Sequence, residues 1–483
     1  KTINITKEIL QVLSSIPAMI VYLAVLPIAF FWPMLNNFFV ADDFTWLRWV
    51  ADCNQLMQRG VMNCSSKAEV LTNFFIKSGD FFYRPGMKAY FFFVYNSQFG
   101  GFSPVIYHVV SLSLHTANTI IIFLISIRVL KNKFFALIAA LVFLLLSSHS
   151  ETIYWISASG HLFATFFTLF GLWLYIKWSE KSAIVYFIAS LISVFAAPLF
   201  HEYGVIAPIM VVAYSIINSK FSESKIKKHD KKNYIFYAIP LVLYLILKVV
   251  SNSFWSAGDY KYNLLKLPLN VFGNIFGFLG FVFIGNLFLS FYQIIRQGAK
   301  NNILIASLFV LIIFSLAVFL YRKLFNKLNK SDKKTILVGI LFFVGPLLPF
   351  LALGNIAPRY GYLASYGLIL ITILILQKIY YHISIENKYF ALAITILIPL
   401  LYILIQLPQL KRENDDWRIA GETTNTFIRY MNDGYEVLGL GVIKEPAFSF
   451  DNVPQKYKTA LIFQVSIDDA VSFSYKERKL ANT

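Results

Sequence analysis

Between residues 14 and 407 the chain repeatedly runs for about 20 residues with few charges, the length a helix needs to cross a bilayer of roughly 30 Å hydrocarbon thickness. Spans are expected near 14–35, 105–127, 134–148, 161–178, 183–200, 202–218, 234–250, 302–320, 336–353, 361–380 and 389–407. With 58% hydrophobic and only 14% charged residues, 483 residues cannot form a soluble protein with a polar surface. The expected fold is an all-α polytopic membrane protein of about 11 spans, bathed in membrane lipids.

The net charge of +18 would suit nucleic acid, but its distribution argues for membrane sidedness and against that partner. Lys220, Lys225, Lys227, Lys228, Lys231 and Lys232 crowd one connector, and Arg322, Lys323, Lys327, Lys330, Lys333 and Lys334 another. Arg128, Lys131, Lys133, Lys177 and Lys181 sit in smaller ones. Placing all of them on the cytoplasmic side requires the apolar stretch Leu267 to Ile295 to enter and leave on one face, as an interfacial helix or a re-entrant hairpin. The N-terminal apolar run contains Pro17, Pro27 and Pro33 and lacks a small-residue cleavage site, so it reads as a retained first span.

This topology exports the loop 36–104, the stretch 149–160, the stretch 354–361 and a tail from about Pro408. The chain then divides into a transmembrane domain, 1–407, and a small exported α/β segment, 408–483, in which 436–443 and 460–467 read as strands. Both cysteines, Cys53 and Cys64, fall in the first exported loop. In an oxidising compartment they either pair or remain two thiols on a helix surface. The sequence contains no Gly-rich phosphate loop after a strand, no zinc-ligand cysteine set and no serine nucleophile elbow.

Chemistry must therefore use polar residues of the exported loops. Asp42 and Asp43 follow the first span directly. Neighbours on a helix point about 100° apart, so one can cap the next helix while the other faces a cavity. Equally, both can be caps. Arg359 stands at the exported end of a span, as a phosphate ligand or a snorkelling anchor. His149, Glu151, His201 and Glu202 occupy exported span ends, where they line a cavity, hold a divalent ion or simply meet headgroups and water. Trp46, Trp49, Tyr154 and Trp155 suit sugar stacking or an interfacial aromatic belt.

Ordered short motifs run along the chain: Asp42-Asp43; Tyr83-Arg84-Pro85; Gly100 to His108 leading into Leu114-His115-Thr116-Ala117-Asn118; His149-Ser150-Glu151-Thr152 with Ser159-Gly160-His161; His201-Glu202-Tyr203-Gly204; Ala357-Pro358-Arg359-Tyr360-Gly361; and Asp416-Trp417-Arg418. In order and spacing the set resembles polyprenyl-phosphate-dependent glycosyltransferases of the GT-C class, and is similar to the membrane half of the TPR-containing O-mannosyltransferases. The likeness covers about residues 36–418. It departs where relatives commonly have Gly-Arg and this chain has Gly160-His161, where Lys-Glu is replaced by His201-Glu202, and where Lys248 matches an arginine. No TPR repeats follow.

The resemblance implies transfer of a sugar, mannose-like in those relatives, from a polyprenyl-phosphate donor to a hydroxyl of a protein, lipid or glycan acceptor. Asp42 or Asp43 would accept the proton, with Asp42 preferred because Asp43 lies closer to the helix backbone. Arg359, then Lys248 and Arg84, would hold the phosphate, and His149, Glu151, His161, His201, Glu202 and Tyr360 would line the cavity. The resemblance singles out no cofactor, and a divalent metal is compatible with the site. Lys-, Asn- and Ile-rich usage suggests a prokaryotic plasma membrane with an exported site. The competing classes are a transporter or flippase, which should carry ionisable groups at the midplane, and a ligase or polymerase of lipid-linked glycans.

Overall fold

The computed structural model describes residues 15–58, 82–221, 231–253, 266–302, 328–437, 448–464 and 466–481, with a few isolated positions between them. Helix α1 (Ile16–Phe31) begins behind Ser15, whose hydroxyl accepts from the Ala18 N–H, with Pro17 in the first turn where no intrahelical partner is lost. Helices α2 (Asp43–Gln58) and α3 (Pro85–Tyr95) follow. The bundle proper comprises α4 (Pro104–Leu130), α5 (Lys133–Leu144), the short α6 (Ser150–Tyr154), α7 (Ser159–Lys181), α8 (Ile184–Phe200), α9 (Ile206–Phe221) and α10 (Ala238–Val250). After α11 (Leu267–Phe283) and α12 (Phe288–Asn301) come α13 (Lys330–Leu351), α14 (Tyr362–Ile383) and the long α15 (Lys388–Val437). Strands β1 (Lys456–Tyr457) and β2 (Ala460–Leu461) pair antiparallel ahead of α16 (Ile467–Ala481).

Among the described residues eight helices are long and apolar enough to cross a membrane, or nine if α5 and Ser147–Tyr154, bent by 54°, form one broken span. That is fewer than the expected count. The run at 183–200 forms a helix of only 17 residues, and 302–320 lies largely outside the described residues. Lipid gives helices no hydrophobic reason to associate, so contact depends on small residues and buried polar pairs. A Cβ on Gly367 of α14 would lie 2.2 Å from the Gly339 carbonyl of α13, so the two backbones touch there. Nearby, the Ser126 and Tyr366 hydroxyls meet at 3.0 Å.

One end of the bundle collects the basic connectors. Arg128 pairs with Glu180 at 2.8 Å, Lys378 with Asp332 at 2.7 Å, and Thr335 bonds the Val129 carbonyl at 3.2 Å. The ends of α4 and α7, the start of α13 and the end of α14 therefore share one face, while the Asp42-Asp43 turn lies at the other. The expected cluster around 225–228 lies outside the described residues. A thiol introduced at Ile385, 83% exposed between α14 and α15, and one at Tyr430, 72% exposed far along α15, should react with an impermeant maleimide from opposite sides. Helix α15 has 50 residues, about 75 Å of rise, well over twice the hydrocarbon thickness. Labelling of both from one side would refute the arrangement.

Helices α11 and α12 form an antiparallel hairpin that turns at Gly285, whose φ of +89° suits a residue without Cβ. Near the turn Phe288 lies on Gly280; further back the Tyr292 hydroxyl donates to Asn274 at 3.2 Å, and Arg296 donates to Asn270 at 3.3 Å. Both open ends meet the same segment, through Asn270 to the Ala352 carbonyl at 3.2 Å and Arg296 to the Gly354 carbonyl at 2.5 Å. The stretch thus leaves beside the point where it enters.

The C-terminal segment differs from expectation. Helix α15 runs through Pro399 and Pro408, so the boundary drawn at 407/408 falls inside one continuous helix. The strand expected over 460–467 shrinks to Ala460–Leu461, because Asp468 and Asp469 in the first turn favour the start of a helix. Most of the stretch 436–443 lies outside the described residues.

Candidate functional site

The Asp42-Asp43 turn is built under strain. Ala41 adopts φ +47°, a left-handed conformation that costs a residue with a Cβ about 1–2 kcal/mol. Neighbours impose it. The Ala41 N–H donates to the Ile462 carbonyl at 2.7 Å, Thr424 of α15 donates to the Phe39 carbonyl at 2.6 Å, and Ala41 is fully buried.

The two carboxylates are then treated differently. Asp43 is 1% exposed and both its oxygens accept: Oδ2 from the Val40 N–H at 3.0 Å, Oδ1 from the Ser157 N–H at 2.8 Å and the Ser157 hydroxyl at 2.5 Å. Burial outweighs these bonds and pushes its pKa up to about 7. Asp42 is half-buried, and its carboxylate accepts no hydrogen bond from a described residue. Burial raises its proton affinity, the charges of Arg359 and Arg84 oppose that, and Asp469 adds to it.

Those two arginines come from segments 275 positions apart (359 − 84) yet act on the same carboxylate. Arg84 precedes α3 and grips Glu202 through Nε at 2.9 Å and Nη2 at 2.8 Å, while Nη2 also donates to His201 Nε2 at 3.2 Å. Arg359 lies in the 3-10 turn Pro358–Gly361, paired with Glu151; its own N–H bonds the other Glu151 oxygen at 3.2 Å. Its guanidinium lies 5.3 Å from the Trp155 ring centre and 4.8 Å from that of Tyr360. The turn is braced from behind: the Tyr362 hydroxyl meets His115 Nδ1 at 2.7 Å and Asn118 at 3.4 Å. The His115-Thr116-Ala117-Asn118 motif thus supports the arginine without reaching the site.

The rings of His161 and His201 touch at a tilt of 35° with centres 3.9 Å apart, and Tyr360 lies 5.9 Å from His161. Asp42, Arg84, Glu151, His161, His201, Glu202, Arg359 and Tyr360 consequently form one neighbourhood. Lys248, half-buried in the last turn of α10, reaches only its edge, where it feels the charge of Glu202. His149 points elsewhere: fully buried, it meets Ser365 at 2.9 Å and packs against Phe143 and Tyr362. Trp46, half-buried, stacks on the buried Phe91 at 5.4 Å. Cys53 is disulfide-bonded, and Cys64, the chain's only other cysteine, lies outside the described residues. No three His, Cys, Asp or Glu side chains among the described residues are grouped to hold a metal ion.

Sequence reasoning missed Ser157 and Asp469. Ser157 is 114 positions from Asp43 and looks like any loop serine. Asp469, on α16, takes Arg48 at 2.6 Å and Thr45 at 2.5 Å, tying the C-terminal helix to α2. Its charge favours protonation of Asp42, so Asp469→Asn should stabilise the ionised form. If Asp42 must be ionised to act, the acidic limb of the pH–rate profile should move to lower pH in this variant. An unmoved limb would mean that Asp42 is not the group titrating. Compared with protein-family models, curated proteins and solved structures, the chain matches none.

Proposed function

We propose that the chain is a membrane glycosyltransferase that moves a sugar from a polyprenyl-phosphate carrier to an acceptor hydroxyl, at the face opposite the basic connectors. One observation carries this. A half-buried carboxylate without a hydrogen-bond partner among the described residues lies in the field of two arginines held by separate carboxylates. Such an arrangement pairs a proton acceptor with cations for a departing phosphate.

In the proposed reaction the acceptor oxygen attacks the anomeric carbon as Asp42 takes its proton, and the bond from that carbon to the phosphate oxygen breaks. Polyprenyl phosphate leaves with the electron pair, its added negative charge met by Arg359 and Arg84. Glu151 and Glu202 hold the guanidiniums in place, and Asp43 fixes the turn through Ser157 and Val40. The lysine asymmetry supports a cytoplasmic basic face and an exported site in a prokaryotic plasma membrane.

Purified protein given polyprenyl phosphate bearing labelled mannose, glucose or galactose should release free polyprenyl phosphate as the label moves to hydroxyl acceptors. Movement of intact carrier between leaflets with no release would instead identify a flippase.

A further inference from the structure

Resting on the transferase function proposed above, we propose that His161 recognises a hydroxyl of the transferred sugar and so helps set which sugar is accepted. Among the described residues five histidines are buried. Four have hydrogen-bonded rings: His108 with the Asn37 carbonyl at 2.9 Å, His115 with Tyr362, His149 with Ser365, and His201 with Arg84. His161, only 4% exposed, makes ring contacts but its imidazole makes no hydrogen bond to a described residue. Neither ring nitrogen of His161 is among the sealed-off polar atoms of the described residues, as Nδ1 of His108 and of His149 are, so a ligand can reach them and replace the bonds they make to solvent.

Position and chemistry select the ligand's polar part. His161 lies in the fields of both Arg84 and Arg359, where a phosphate would be held. Phosphate oxygens only accept, and guanidiniums are the better donors to them. A neutral imidazole offers one donor and one acceptor, which matches a hydroxyl. Around it stand the rings of Tyr203 at 5.5 Å, Tyr360 at 5.9 Å and Phe350 at 6.2 Å, the last two stacked on each other at 4.1 Å, an aromatic rim beside the place of the phosphate. The tilted contact with His201 restrains the ring, and the Tyr203 hydroxyl, donating to the His161 carbonyl at 2.9 Å, ties down its backbone.

The test compares binding of polyprenyl phosphate with that of its mannosyl, glucosyl and galactosyl phosphodiesters. His161→Phe keeps the ring contacts and removes the capacity to hydrogen-bond a ligand. It should bind the bare carrier as wild type does, which also shows the site is folded, and bind the preferred glycosylated carrier about tenfold more weakly. His161→Gln should recover part of the loss. Removing the recognised hydroxyl from the sugar should cost wild type a similar factor and His161→Phe nothing. Equal weakening for bare and glycosylated carriers, or no weakening for either, would overturn the assignment. A wild-type protein that binds none of the four ligands would overturn the transferase function and this role together.

Discussion

Replacing Asp42 by Asn should lower turnover about a hundredfold or more, the scale of a lost general base, while the affinity for the lipid-linked donor stays near that of wild type. The substitution keeps size and polarity and removes only the capacity to accept a proton. No described residue donates to the Asp42 carboxylate, so the fold should tolerate the change. Asp43→Asn makes the useful contrast. Its amide would face either the Val40 N–H or the Ser157 N–H with a second donor, so stability should fall by about 1–3 kcal/mol. Activity and thermal unfolding measured on both variants separate the roles. Near wild-type turnover in Asp42→Asn with authentic donor and acceptor would eliminate it as the base.

Arg359→Ala should reduce kcat/KM for the donor about a hundredfold, and Arg359→Lys about tenfold, because lysine keeps the charge and loses the planar fork. The alanine variant also leaves Glu151 without its guanidinium in a site where that carboxylate is only 14% exposed. Combining Arg359→Ala with Glu151→Gln removes that orphaned charge. The double variant should regain stability without regaining turnover. If Arg359→Ala alone retains full activity, the arginine is an anchor for the turn and the phosphate must be held elsewhere.

Local pattern and tertiary placement divided the problem unevenly. The hairpin of α11 and α12 was legible because two lysine-rich connectors can share a face only if 267–295 returns to where it started. The long α15 was not, since Pro408 reads as a break by propensity, although a helix can continue past a proline when its neighbours compensate. Among the site residues, Arg359, Glu151 and Glu202 drew notice as charges at span ends, where a charge is expensive without a partner, and Arg84 only through the Tyr83-Arg84-Pro85 motif. Which carboxylate pairs with which arginine depends on how the helices pack. His149 and His201 both read as polar span ends, and only the packed structure sets His149 against Ser365.

By itself the sequence determined that this is a helical membrane protein and that its basic connectors gather at one end of the bundle. Both properties follow from summed hydrophobicity and charge along short windows, which neighbours distant in the chain barely alter. Only the tertiary structure decided that Ser157 and Val40 occupy Asp43 while Asp42 keeps its carboxylate clear, and that Arg84 and Arg359 converge on it. The physical reason is range: burial and hydrogen bonding act over a few ångströms, and apart from the neighbouring Val40 the partners lie from 42 (Arg84) to more than a hundred positions (Ser157, Arg359) away in the chain, an approach no local pattern encodes.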